Sequence, residues 1–170
     1  MSTATLIPVS EYLSTSYRPD VEYLEGELLE RNVGEWDHSE IQAIVSAYLF
    51  NRRREWGIHV LPEQRVQVKS TRFRVPDVCV VLRSHPREQI LTHPPFLCIE
   101  ILSKDDTMTS MQERIDDYLE FGVPYVWVLD PRTKRARIYT RGIMREAVGV
   151  LETENPAIQV PLSEVFSEQD

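Results

Sequence analysis

The spacing of apolar residues changes along this chain, and each change marks an element. Ile41, Ile44, Val45, Tyr48 and Leu49 recur at the three- and four-residue intervals that put one apolar stripe on a helix. Asp37 and Glu40 have the spacing of a capping box ahead of that stripe. The helix is expected to stop near Trp56-Gly57, where Arg52, Arg53 and Arg54 suit the negative end of its dipole. Upstream, Tyr17–Glu30 alternates turn residues with short apolar pairs around Glu25-Gly26, which predicts a hairpin. Downstream, His59–Val68, Phe73–Leu82 and Phe96–Leu102 are rich in Val, Ile and Phe and predict a three-strand meander.

Helical spacing returns at Met108, Met111, Ile115, Tyr118 and Leu119, and Gly122 with Pro124 ends it. Tyr125–Leu129 is a continuous apolar run closed by Asp130-Pro131, and Arg137–Thr140 reads as the final strand. Strand, helix and strand in that order form a crossover unit, right-handed in almost all known cases. The tail, Arg141–Asp170, carries Pro156, Pro161 and only a weak apolar pattern. The expected fold class is α/β, a mixed β-sheet flanked by helices with an αβββαβ core and an N-terminal β-hairpin. One domain is expected over residues 1–170, with its core at about 17–140 and a C-terminal extension at 141–170.

Composition narrows the function. With 170 residues and 42% hydrophobic content the chain can bury one sizeable core. No apolar run approaches the roughly 20 residues that span a bilayer, and Met1–Val9 lacks a signal peptide's basic flank, so a cytosolic protein without a membrane partner is expected. Cys79 and Cys98 are too few for a disulfide framework and read as small buried apolar residues. His59, His85 and His93 lack metal-ligand spacing. A net charge of -8 argues against coating nucleic acid with an overall basic surface, so any such contact must be local. The basic clusters at Arg52–Arg54, Arg72 with Arg74, Arg83 with Arg87, and Arg132 to Arg137 read first as solvated faces or helix ends.

Two carboxylates stand out because their surroundings are apolar. Asp77 lies in Val75-Pro76-Asp77-Val78-Cys79-Val80-Val81, and Glu100 in Phe96-Leu97-Cys98-Ile99-Glu100-Ile101-Leu102. An ionised carboxylate in such a strand needs a cation or hydrogen-bond donors, unless it points to solvent from a half-exposed sheet. An antiparallel pairing with Asp77 opposite Glu100 also sets Cys79 opposite Cys98, and the two-residue period puts all four on one face.

These segments, taken in order, resemble a known family. Pro76-Asp77, Glu100-Ile101-Leu102-Ser103, Tyr118 on its helix and Gly122-Val123-Pro124-Tyr125-Val126-Trp127-Val128-Leu129-Asp130-Pro131 are similar to the Uma-type restriction-endonuclease branch of the PD-(D/E)XK nuclease superfamily. Val21-Glu22-Tyr23-Leu24-Glu25-Gly26-Glu27-Leu28 and His38-Ser39 extend the resemblance, which covers about residues 10 to 140. It implies a restriction-endonuclease-like fold and a phosphodiesterase in which Asp77, Glu100 and the backbone carbonyl of Ile101 hold Mg²⁺, with Mn²⁺ as a substitute. The implied substrate is DNA, cut by metal-activated water, and a homodimer is expected because cutting both strands takes two sites.

The superfamily's Lys two residues after the Glu is Leu102 here, and the helix position four before Tyr118, where the Uma-type pattern has Lys, is Arg114. Arginine can stabilise a charged transition state but is a poor proton acceptor. Arg114 therefore has two readings, a phosphate-facing site residue or an ordinary helix-surface residue paired with Glu113 or Asp117. Glu22 is a candidate third carboxylate or an exposed strand residue, and His38 a phosphate or leaving-group contact or a solvated residue. Gln64 is placed to face the same cleft. Two rival functions follow: a weakened or inactive member that binds nucleic acid or a protein, and an assembly module presenting Tyr125–Leu129 at a dimer surface.

Overall fold

The computed structural model describes residues 5–31 and 34–166. Its first helix, α1 (Val9–Ser14), escapes the apolar pattern because six residues are too few to show a period. Tyr12 anchors it: the hydroxyl donates to the Val21 carbonyl at 2.9 Å and the ring packs on Tyr17, Tyr23 and Phe73. The predicted hairpin follows as β1 (Val21–Leu24) and β2 (Glu27–Glu30), with Glu25 and Gly26 both at positive φ, the geometry a two-residue hairpin turn demands.

Helix α2 (Trp36–Asn51) starts earlier than its predicted cap. Its N-cap is Glu35, without a side-chain cap hydrogen bond, and Asp37 lies inside the first turn, where its charge still faces the positive end of the dipole. At Arg52 the backbone leaves helical geometry, and one further turn, α3 (Arg53–Trp56), ends at Gly57 with φ of 63°. Arg52 stacks over Tyr48 and Arg53 over Phe50, each 3.7 Å from the ring centroid, so these two guanidiniums are occupied by aromatic rings.

The next two predicted strands are each cut in half. Residues 58–82 form β3 (Ile58–Pro62), β4 (Val66–Lys69), β5 (Arg72–Arg74) and β6 (Val78–Leu82), and the outer and inner pairs belong to different sheets. The register nonetheless runs through: Ile58 faces Leu82, Pro62 faces Val78, the Glu63 amide donates to the Asp77 carbonyl at 3.2 Å, and Val66 faces Arg74. One long hairpin thus bends out of the larger sheet into the smaller. The break falls at Pro62 and Pro76, which offer no N–H to a ladder, and at Glu63, whose φ is 51°.

The smaller sheet has the order β2-β1-β5-β4. The larger adds β7 (Leu97–Ile101), β8 (Tyr125–Asp130), β9 (Arg135–Thr140) and β10 (Ile143–Glu146) in the order β10-β9-β8-β7-β6-β3. Its parallel pair, β7 with β8, is joined by α4 (Met108–Phe121), as the crossover pattern predicts. The β6–β7 register sets Val78 against Ile99, Cys79 against Cys98 and Val80 against Leu97, and both cysteines are free and buried. Alternation then sends Val78, Val80, Leu97 and Ile99 into one core and Cys79, Cys98, Val126 and Val128 into a second, under α4.

Arg137–Thr140 is not the final strand. After β10 come β11 (Val150–Glu152), β12 (Gln159–Pro161) and α5 (Leu162–Val165), elements too short for a readable period. Ala147, Leu151, Ile158, Val160 and Val165 are buried in the same core as Trp127, so the tail is structural. Val126 to Leu129 are buried between β7 and β9, which removes the reading of that run as an exposed dimer surface. No helix among the described residues is long and apolar enough to cross a membrane.

A tail that closes the core makes a checkable prediction. Leu151→Ala should cost about 2 to 5 kcal/mol of unfolding free energy in urea titrations, whereas a tail lying on the surface would lose less than about 0.5 kcal/mol.

Candidate active site

Asp77 stands at the corner where the long hairpin passes from one sheet to the other, just before β6. Its carbonyl accepts from the Glu63 amide and from Gln42 Nε2 at 3.0 Å. Its carboxylate accepts from the Ile101 amide at 2.7 Å through Oδ2, while Oδ1 lies 2.9 Å from Arg31 Nη2 and 3.3 Å from His38 Nε2. His38 and Gln42 are one turn apart on α2 and so reach Asp77 from a single helix face. Burial disfavours a charged His38, but its hydrogen bond to Asp77 and that residue's charge outweigh burial and raise its pKa.

Glu100 projects from β7 toward α4, where the Tyr118 hydroxyl donates to Oε1 at 2.6 Å. Burial and then the neighbouring charge of Asp77 raise its pKa to about 8, against the pull of Arg114 and the tyrosine hydrogen bond. Burial likewise pushes the Tyr118 phenol up. Asp77 and Glu100 line one small cavity, with Ile101 between them.

Arg114 points into this cavity, not onto the helix surface. Its Nη1 is 3.1 Å from Asp106 Oδ1 and 4.0 Å from Glu100 Oε2, and its Nε is 3.7 Å from Glu22 Oε2 without hydrogen-bonding. The alternative partner Asp117 is engaged elsewhere, with Arg74 at 2.7 Å and Arg72 at 2.9 Å. Glu22 is buried, accepting from Arg74 Nη1 at 2.8 Å and from the Val75 amide at 3.1 Å. Arg74 is therefore a buried ion-pair partner, and the partly exposed Arg72 is paired with Glu25 and Asp117. Gln64 turns away from the cavity, donating to the carbonyls of Gln89 and Arg65.

Two further cavity residues were not predicted. Asp106 is fixed by the Ser103 amide and hydroxyl at 2.9 and 3.0 Å, and the Ser103-to-Asp106 spacing just before a helix is a local signal that could have found it. Arg31 meets Asp77 across 46 positions of sequence and carries no such signal.

The donor set suits a hard divalent cation. The cavity walls carry four carboxylates, Glu22, Asp77, Glu100 and Asp106, beside two guanidiniums, Arg31 and Arg114, and the His38 imidazole. A volume of about 20 Å³ holds one small ion or water. Among the described residues no group of three or more His, Cys, Asp or Glu is arranged to enclose a metal.

The sequence profile of the Uma2 family, described as putative restriction endonuclease, matches residues 9–169. A crystal structure of a putative nuclease belonging to DUF820 from Anabaena variabilis ATCC 29413 superposes with a TM-score of 0.84 at 24% identity, covering 95% of this chain and 98% of that one, which shows the shared fold. The DrdV–DNA complex aligns at 13% identity with a TM-score of 0.47 over 75% of this chain and 10% of that one, too distant to carry weight. No curated protein matches the chain.

The raised Glu100 pKa has a consequence for stability in metal-free buffer. The folded state holds a proton that the unfolded state, with an ordinary value of 4.5, releases, so the contribution is complete below that value and is lost as pH rises toward about 8. The urea midpoint should fall across that window. His38 acts in the same direction, so Glu100→Gln isolates the carboxyl and should flatten part of the decline; an unchanged decline would contradict the assignment.

Proposed function

The chain belongs to the Uma2 family, and we propose that it is a Mg²⁺-dependent endonuclease, active also with Mn²⁺, that hydrolyses phosphodiester bonds of DNA. The observation that carries this reading is the meeting of Asp77 and Glu100, 23 positions apart in sequence, in one cavity lined also by Glu22 and Asp106. Asp77, Glu100 and the Ile101 carbonyl would hold the divalent ion. When bound, such an ion neutralises charge on the phosphate and lowers the pKa of a water.

The chain's own groups do the rest. Arg114, clamped by Asp106, presents a guanidinium to a non-bridging phosphate oxygen and stabilises the charge that gathers there during in-line attack. Its pKa, raised by the neighbouring carboxylates, makes it an electrostatic partner and not a base. Glu22, with its oxygens on Arg74 and the Val75 amide, stands beside Arg114 as a further carboxylate of the cavity. His38 is placed to donate to a phosphate oxygen or to the leaving group. The N-termini of α2 and α4 both border the cavity, through His38 and Asp106, so their dipoles favour an anion there even though the chain carries -8 overall. The reading includes a cytosolic homodimer, since a duplex offers two strands to cut.

Arginine in place of lysine favours the second reading, a weakened nuclease that binds without cutting, and one experiment separates the two. Supercoiled plasmid incubated with Mg²⁺ or Mn²⁺ should be nicked by the wild type and not by Asp77→Asn or Glu100→Gln. Arg114→Ala should lose about 10² to 10³ in rate, as removal of a transition-state donor does, while Arg114→Lys keeps or raises activity. Absence of any metal-dependent cleavage would favour the binding reading, and equal rates for all three residues at position 114 would remove Arg114 from the mechanism.

A further inference from the structure

Asp77 has no free oxygen facing the cavity. Oδ2 is committed to the Ile101 amide, and Oδ1, the atom left for a metal, is taken by the Arg31 guanidinium at 2.9 Å with His38 at 3.3 Å beside it. Arg31 arrives just after β2, its side chain only 12% exposed, and its Nη1 also reaches Glu63 Oε1 at 3.5 Å. Glu63, at the bend of the long hairpin, is half exposed at 52%. Arg31 therefore lies between a buried carboxylate and an exposed one, with Nη2 on Asp77 and Nη1 toward Glu63. Arg114, the other cavity guanidinium, is differently placed: its short contact is to Asp106, and Glu100 lies 4.0 Å away.

Resting on the metal-site reading above, we infer that Arg31 is an exchangeable counter-ion of Asp77. Without a divalent ion its guanidinium pairs with Oδ1. When the ion enters, Arg31 cedes Oδ1, stays tethered at the Glu63 end, and offers its freed N–H groups to the phosphate. The two roles need the same group at different moments. A lone ionised carboxylate at this depth would be costly, and a phosphate entering beside four carboxylates would be repelled. An arginine fits where a lysine would not, because its planar fork can keep one N–H on Glu63 while another changes partner.

The two roles predict effects of opposite sign. Mn²⁺ alone, titrated by calorimetry into protein without DNA, should bind Arg31→Met and Arg31→Ala about ten-fold more tightly than wild type, because a charge-assisted competitor for Oδ1 is gone. With saturating Mn²⁺, the same variants should cleave supercoiled plasmid about ten-fold more slowly at saturating DNA, because a phosphate contact is lost. A purely structural Arg31 would weaken both. Mn²⁺ affinity unchanged or reduced in both variants overturns the inference while leaving the metal site intact. Tighter Mn²⁺ binding with undiminished cleavage overturns the phosphate role. Failure of the wild type and both variants to bind Mn²⁺ overturns the inference together with the metal-site reading beneath it.

Discussion

Four carboxylates gathered at the joint between two sheets are the constraint around which this molecule is organised. Four carboxylates meet in a space for one small ion, and each is held by a specific partner: Asp77 by Arg31, His38 and the Ile101 amide, Glu100 by Tyr118, Glu22 by Arg74, Asp106 by Ser103 and Arg114. Buried ion pairs add little to stability compared with apolar packing, and removing one partner leaves a charge stranded. The arginines extend the system outward, from Glu22 through Arg74 to Asp117, and through Arg72 to Glu25 on the hairpin turn. The smaller sheet is thereby locked to α4, and both are referenced to the same cavity.

Bending the long hairpin is what makes the joint. Were residues 58–82 a flat pair within one sheet, Asp77 would be one more strand residue. Because the register persists while Pro62, Glu63 and Pro76 turn the backbone, Asp77 is set at a corner with its carbonyl pinned by α2 and its carboxylate aimed at the end of β7. Glu100 needs no such device: alternation on β7 puts it on the α4 side, where Tyr118 waits. The two carboxylates are thus delivered by different means, one by a backbone break and one by strand periodicity.

Those differences decide what the sequence could reveal. Strand periodicity is local and additive, so the pairing of Cys79 with Cys98 was legible from residue numbers alone. The crossover helix and its Gly122 stop were legible for the same reason. The division of the meander between two sheets was not, because a hairpin that keeps its register reads identically whether straight or bent, although Pro62 and Pro76 marked the place. Tail elements of three and four residues fall below the length at which a period appears, yet Leu151 and Val160 are fully buried. Arg31 illustrates the hardest case: its role depends on a partner 46 positions away, and nothing near it in sequence separates it from a solvated arginine.

The account stands on one claim, that Asp77 and Glu100 are co-ligands of a divalent ion. A crystal grown without metal and soaked in Mn²⁺, with data collected at the manganese absorption edge, tests it without reliance on any activity. One anomalous peak at about 2.0 to 2.6 Å from an oxygen of Asp77, an oxygen of Glu100 and the Ile101 carbonyl is the predicted result. A peak bound elsewhere, or a cavity in which Asp77 and Glu100 keep their present partners under saturating Mn²⁺, would contradict it.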